Sequence, residues 1–204
     1  MRAGLTVVKL GGSLAFSDAL KPWLDALADC AGHVVVVPGG GPFADAVRAA
    51  QPDMGFDDRA AHHMALTAME QYGRALVSLG EGLVLAGSAA AIHRAVRDGR
   101  VPVWAPARMA LCAQDVPASW DMTSDSLAGW LAGKLGAHRI LLVKQANVSG
   151  PLRDLVARGV VDPLFPRFLA AARAEAFVAG PHDHAAAAHA IRAGETPGIR
   201  VGLQ

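Results

Sequence analysis

Cysteine is nearly absent: Cys30 and Cys112 are the two in 204 residues, far apart and without a CxxC spacing. That excludes a disulfide framework, and both are expected to be buried free thiols. Charge of one sign is also missing. Nineteen Lys and Arg face 18 Asp and Glu, for a formal net charge of +1, and no run of five or six like charges occurs. Neither a nucleic-acid partner nor a membrane surface is expected from such a balance. Long hydrophobic runs are lacking too, so no segment approaches the roughly 20 apolar residues of a membrane helix. The start, from Met1 and Arg2 to Lys9, has no signal-peptide pattern, which makes the cytoplasm the expected location. What is present is a globular composition, 52% hydrophobic and 18% charged, long enough to bury most of its chain surface in one domain spanning 1–204.

Periodicity gives alternating elements. Residues 5–10 form an apolar run stopped by Gly11-Gly12, and 33–37 hold four consecutive valines stopped at Pro38. Such runs fit central parallel strands buried on both faces. Further strands are predicted at 83–86, 101–104 (interrupted by Pro102), 139–143 and 176–179, and helices at 19–31, 43–50, 57–79, 88–97, 124–135, 165–174 and 183–193. Strands alternating with helices through short turns predict an α/β fold, a mainly parallel sheet covered on both faces.

Ligands of such sheets bind beyond the carboxyl ends of the strands. Two of those places are glycine turns, Lys9-Leu10-Gly11-Gly12-Ser13 and Pro38-Gly39-Gly40-Gly41-Pro42. Bare backbone N–H groups, the positive end of a following helix and the Lys9 charge suit phosphate oxygens. A single Gly-Gly turn is often only a turn; two on consecutive strands carry more weight. Neither matches GxxxxGK[ST] or GxGxxG, which argues against an ordinary P-loop or a dinucleotide fold. A third piece, Trp120-Asp121-Met122-Thr123-Ser124-Asp125-Ser126, places hydroxyls and a carboxylate at a helix start. Thr123 or Ser124 could cap that helix, with Asp125 complementing its dipole.

The order of these pieces resembles the amino-acid kinase superfamily, which contains acetylglutamate, aspartate, uridylate and isopentenyl phosphate kinases. Lys9 to Ser13 looks like its opening lysine-glycine turn and Gly39 to Pro42 like its second. Thr123-Ser124-Asp125-Ser126 looks like its aspartate-bearing helix start, and Ile140 to Lys144 like the strand that follows. The likeness covers residues 5–145 and is diffuse beyond.

The resemblance implies a three-layer αβα sandwich, the amino half binding the phosphoryl acceptor and the carboxyl half ATP, with Mg2+. Lys9 would neutralise the transferring group, Asp125 would orient the lysines, and Lys144, similar to a lysine of uridylate kinases, would share the charge. Gly11, Gly12, Ser13, Gly39, Gly40, Gly41, Thr123 and Ser124 would meet phosphate and substrate. Phosphoryl transfer needs positioning and charge compensation more than a covalent nucleophile.

Ala61 to Leu66, with Met69, and the stretch from Trp120 to Trp130 resemble a small branch associated with methanofuran-type cofactor synthesis, whose kinase converts an aminomethylfuran phosphate to its diphosphate. His62 is then a candidate substrate contact, ahead of His63, since adjacent helical positions point about 100° apart. The chain departs from the superfamily at Gln145-Ala146-Asn147-Val148-Ser149-Gly150, where an Asp-Val-Asp-Gly turn is usual. A later nucleotide-side lysine is missing from Ala179 to Asp183. Asp162-Pro163 resembles an acidic turn near the nucleotide. His182 and His184 do not make a metal site, because their spacing is loose and Asp183 reads as a helix start. The main rival to a kinase is a non-catalytic relative that binds a phosphate-bearing ligand as a sensor or complex subunit. The apolar run 185–188 would suit a homo-oligomer.

Overall fold

The computed structural model describes residues 4–146 and 148–202. Seven strands form one sheet in the order β3-β4-β2-β1-β5-β6-β7. They are β1 (Thr6–Leu10), β2 (Val34–Pro38), β3 (Leu83–Ala86), β4 (Val101–Trp104), β5 (Arg139–Val143), β6 (Glu175–Ala179) and β7 (Ile199–Val201). The paired strands run parallel except β6 with β7. Every residue of β1 and β2 is buried, as unbroken valine runs require when helices cover both faces. Pro102 does not cut β4, which passes between β3 and β2; the β2 pairing narrows to Val36 with Val103, because proline offers no N–H to the ladder.

The helices are α1 (Leu20–Ala28), α2 (Gly41–Met54), α3 (Asp58–Leu79), α4 (Ala89–Arg97), α5 (Ala107–Ala110), α6 (Ser124–Leu135), α7 (Leu152–Ala157), α8 (Phe165–Ala172) and α9 (His184–Ala193). On one sheet face Val7, Val35, Ile140 and Leu142 pack with Leu127 and Leu131 of α6 and with Phe165 and Phe168 of α8. On the other, Val8, Val36, Leu141 and Val143 pack with Trp23 and Leu24 of α1 and Ile191 of α9. Strand alternation thus sorts β1 between the layers, and the αβα sandwich follows.

Several expectations change. A 3-10 turn over Gly12–Phe16 and the short elements α5, α7 and β7 carried too little periodicity to be predicted. Helix α2 starts at the glycine turn itself and runs through Pro52 in its last turn, ending where Gly55 takes φ +71. Cys30 is buried but Cys112 is exposed, because its segment, just past α5, lies on the surface. Of the apolar run 185–188, Ala187 is fully buried and Ala188 packs against the same core, so half of it serves the fold. No helix among the described residues is long and apolar enough to cross a membrane.

β1 sits at the centre, flanked by β2 and β5. The chain leaves β1 towards β2 and leaves β5 towards β6. Those opposed directions open a crevice at the carboxyl ends of β1 and β5, where such folds bind ligands.

Candidate active site

Only four lysines occur in the chain, and two of them meet on one carboxylate in this crevice. Lys9, near the end of β1, lies with its Nζ 2.8 Å from Asp125 Oδ1, and Lys144, just past β5, donates to Asp125 Oδ2 at 2.7 Å. The Lys9 contact is an ion pair out of line with a hydrogen bond, which leaves Oδ1 without an aligned donor. Asp125 stands in the first turn of α6, a helix buried all round from Ser124 to Ala132. Polar side chains persist in such surroundings only when paired.

The three charges set one another's proton affinity. Burial pushes the Asp125 carboxyl up, but Lys9 and Lys144 more than offset it and hold it down at about 2. Burial and the neighbouring Lys9 charge push Lys144 down to about 8, against the pull of Asp125. Lys9 itself is raised: burial acts against it, yet the charge of Asp125 prevails. At neutral pH two ammonium groups therefore flank one carboxylate, and their N–H groups suit phosphate oxygens.

The glycine turns are locked together. A Cβ on Gly12 would lie 2.4 Å from the backbone nitrogen of Gly41, and one on Gly39 2.2 Å from that of Gly12. Backbone meets backbone, and only glycine fits. Gly41 also takes φ +55 with the Tyr72 ring beneath it. Beside these turns opens a cavity of about 260 Å³. Its inner end is formed by Gly12, Ser13, Gly40, Gly41, Thr123 and Ser124, and its walls by Ala61, His62, Ala65, Leu66 and Met69 of α3 and by Met122 and Leu127. Gly11 and Gly39 are not in that lining: Gly11 lies against Lys9 Nζ, and Gly39 packs on Gly12 and donates to the Leu10 carbonyl.

At the mouth the cavity turns polar, with Asp45, Arg48, Asp58 and Trp120. Trp120 Nε1 donates to Gln51 Oε1 at 2.7 Å, Gln51 Nε2 donates to Asp58 Oδ1 at 2.9 Å, and the Arg48 guanidinium lies 4.4 Å over the Trp120 ring. This clamp joins residues 69 positions apart, so no local pattern announced Gln51 or Arg48. His62 lines the cavity with its Nε2 buried and unpartnered, while His63 faces a shallow groove with Phe43 on the other side of α3. Burial, with a smaller push from His63, lowers the His62 proton affinity, so its imidazole is neutral at pH 7.

One helix start differs from expectation. Thr123 makes no side-chain cap for α6; its N–H and hydroxyl, and the N–H of Ser126, donate instead to the carboxylate of Asp162. Asp162 thus lies against α6, where a remote acceptor replaces a local one. Asp183 stands at the start of α9 as expected, but its carboxylate accepts from the Gly180 N–H at 2.7 Å rather than from the first turn of the helix. Of the turn after β5, Gln145, Ala146, Ser149 and Gly150 are exposed, and Asn147 lies outside the described residues. No group of three His, Cys, Asp or Glu side chains among the described residues converges as a metal site. Both Asp125 oxygens face lysines. These residues fit a Mg2+ that is held by nucleotide phosphates rather than by a protein cage.

Comparisons with known proteins bear on the fold and the kind of protein. The model of the amino acid kinase family matches residues 4–86, the part that holds both glycine turns. A [5-(aminomethyl)furan-3-yl]methyl phosphate kinase from Methanocaldococcus jannaschii is 26% identical over 188 residues, 84% of this chain and 86% of that one. The uridylate kinase from Archaeoglobus fulgidus superposes with a TM-score of 0.69 at 18% identity, covering 97% of this chain and 100% of that one. An isopentenyl phosphate kinase does so with a TM-score of 0.60 at 17% identity, also covering 97% and 100%. With two glycine turns locked beside a buried lysine–aspartate–lysine centre, the chain is a small-molecule kinase related to the amino acid kinase family.

Proposed function

We propose that this kinase transfers the γ-phosphoryl group of ATP to a small phosphate monoester, an aminomethylfuran-type phosphate, giving its diphosphate. The observation that carries the reading is the pairing of Lys9 and Lys144 on buried Asp125, next in the chain to Ser124, which with Gly12 and Ser13 lines a mostly apolar cavity. The relative's acceptor, a ring bearing a phosphate, matches apolar walls that end in glycine backbone.

In this arrangement the acceptor lies in the amino half, its phosphate against Gly12, Ser13, Gly40 and Gly41 and its ring among Ala65, Leu66 and Met69. ATP approaches from the carboxyl half, beyond the ends of β5 and β6. An acceptor phosphate oxygen forms the new P–O bond while the bond from the γ-phosphorus to the bridging oxygen breaks, and ADP leaves with that electron pair. The attacking oxygen is already anionic, so no proton need be removed and no general base is required. Lys9 and Lys144 offset the charge gathered on the transferring group, and Asp125 holds both ammonium groups in place. His62 supplies a neutral ring nitrogen to the acceptor. Mg2+, when bound, neutralises charge on the nucleotide phosphates.

Phosphorus NMR of the protein with ATP, Mg2+ and [5-(aminomethyl)furan-3-yl]methyl phosphate tests the reading. New diphosphate resonances and ADP in equal amounts are expected, with UMP and isopentenyl phosphate turned over at least tenfold more slowly, since one ill-fitting group is worth about that factor. Turnover of UMP alone would move the acceptor to a nucleotide. Binding of the furan phosphate without transfer would favour the non-catalytic relative.

A further inference from the structure

The transfer centre contains a fourth charged group. Asp162, 9% exposed, lies in the segment between α7 and α8. Its Oδ2 accepts from the N–H groups of Thr123 and Ser126, each at 2.9 Å, and its Oδ1 from the Thr123 hydroxyl. The first N–H groups of a helix have no partner within it, and here a residue 36 to 39 positions away satisfies them.

Both flanks of Asp162 are fixed. Val161 and Phe165 are buried at 1% and 0% exposure, the Val160 N–H donates to the Leu155 carbonyl at 2.8 Å, and the Phe165 N–H donates to the Asp162 carbonyl at 3.1 Å. Helix α8 then packs so closely on α6 that a Cβ on Gly129 would lie 3.0 Å from that of Phe168. Helix α6 is thus held at its start by Asp162 and along its length by α8, and Asp125 lies in the turn so held.

A cap alone does not call for this residue. A serine or asparagine at position 123 would satisfy the same helix locally. A second carboxylate buried near Asp125 is costly: burial and the Asp125 charge both push Asp162 up, opposed by the bonds from Thr123 and Ser126. The compensation comes from Lys9 on β1 and Lys144 after β5, both of which are drawn towards their charged forms by Asp162. The titratable groups gathered here from β1, α6, the end of β5 and the α7–α8 segment are Lys9, Asp125, Lys144 and Asp162, two bases and two acids.

We propose that Asp162 is a positioning residue for phosphoryl transfer, which fixes the first turn of α6 so that Asp125 stands between Lys9 and Lys144 and balances the second lysine's charge. This rests on the kinase reading only for its consequence in rate; the charge arrangement can be tested without any acceptor.

With four lysines in the chain, labelling the lysine ε-carbons with 13C gives four signals, and Lys144→Arg identifies that of Lys144. In Asp162→Asn, the Lys144 titration midpoint is expected to fall by about one pH unit, tenfold in proton affinity, as a nearby carboxylate charge is lost. Leu83→Ala, a truncation in β3 at the opposite edge of the sheet and in the core layer on the other face, lowers thermal stability and leaves that midpoint in place. Asp162→Glu retains the charge but displaces the cap, so it keeps the midpoint while kcat falls about tenfold with the acceptor KM unchanged. A Lys144 midpoint that does not move in Asp162→Asn overturns the proposal, as does a wild-type kcat in Asp162→Glu. Should the wild-type protein transfer no phosphoryl group, the kinase reading fails, and the titration still decides the charge arrangement.

Discussion

The crevice beyond the sheet has two unlike sides. On the amino side, the turns after β1 and β2 interlock through Gly12, Gly39 and Gly41, and the cavity ends in backbone with nowhere to move. On the carboxyl side, the turn after β5 exposes Gln145 and Ala146, and Asp183 bonds back to its own turn at Gly180. One side is preorganised by steric necessity, and the other offers charge chiefly through Lys144. Under the proposed function the difference assigns selectivity to the amino side: a shaped cavity would read the acceptor, and the lysine–aspartate centre would hold the nucleotide mainly by its phosphates.

The sharpest way to break this contrast is to remove the centre that both sides share. Lys9→Ala and Asp125→Asn are expected to lower kcat about 1000-fold, the scale of losing a preorganised charge at the transferring group; single-turnover kinetics checks it. Gly12→Ala attacks the rigid side alone. Its Cβ would enter the space of the Gly41 nitrogen, so a loss of about 3 kcal/mol or more is expected in urea unfolding, as for other strained backbone positions.

A smaller effect comes from pH. The Lys144 ammonium, held down at about 8, deprotonates as pH rises through that value, so kcat should fall about tenfold per unit above it. Stability has the opposite sign. Between about 8 and the usual lysine range near 10.5, the unfolded chain binds a proton at Lys144 that the folded chain does not, so this group's contribution to stability rises with pH. Urea titrations at pH 7.5 and 9.5, beside rates at the same pH, should show the two trends diverge at this group. The smallest change is expected on the open side: Gln145→Ala should alter the nucleotide KM less than about threefold, as for an exposed contact. A larger shift would mean that the turn reads the nucleotide directly.

Much of this was legible in the sequence because local rules governed it. The apolar runs gave β1 and β2, the glycine turns marked the crevice, and the helical spacing over 57–79 gave α3. The short elements α5 and α7 escaped, since four and six residues give no helical period to read. Asp162 was visible only as an acidic residue before a proline, Arg48 only as an ordinary polar position on a helix, and Gln51 only as the residue after that helix. Their partners, Thr123 and Trp120, are distant in the chain.

By itself the sequence determined the layered fold and marked the glycine turns as candidates for phosphate, because side-chain period, glycine permissiveness and strand composition act over a few neighbouring residues. Only the tertiary structure decided that Lys9 and Lys144 converge on one carboxylate, that the glycines of two turns are required by each other, and that α6 is capped from another helix segment. Those facts depend on strand order and register, which place Lys9 beside the end of β5, and no local pattern encodes which strands become neighbours.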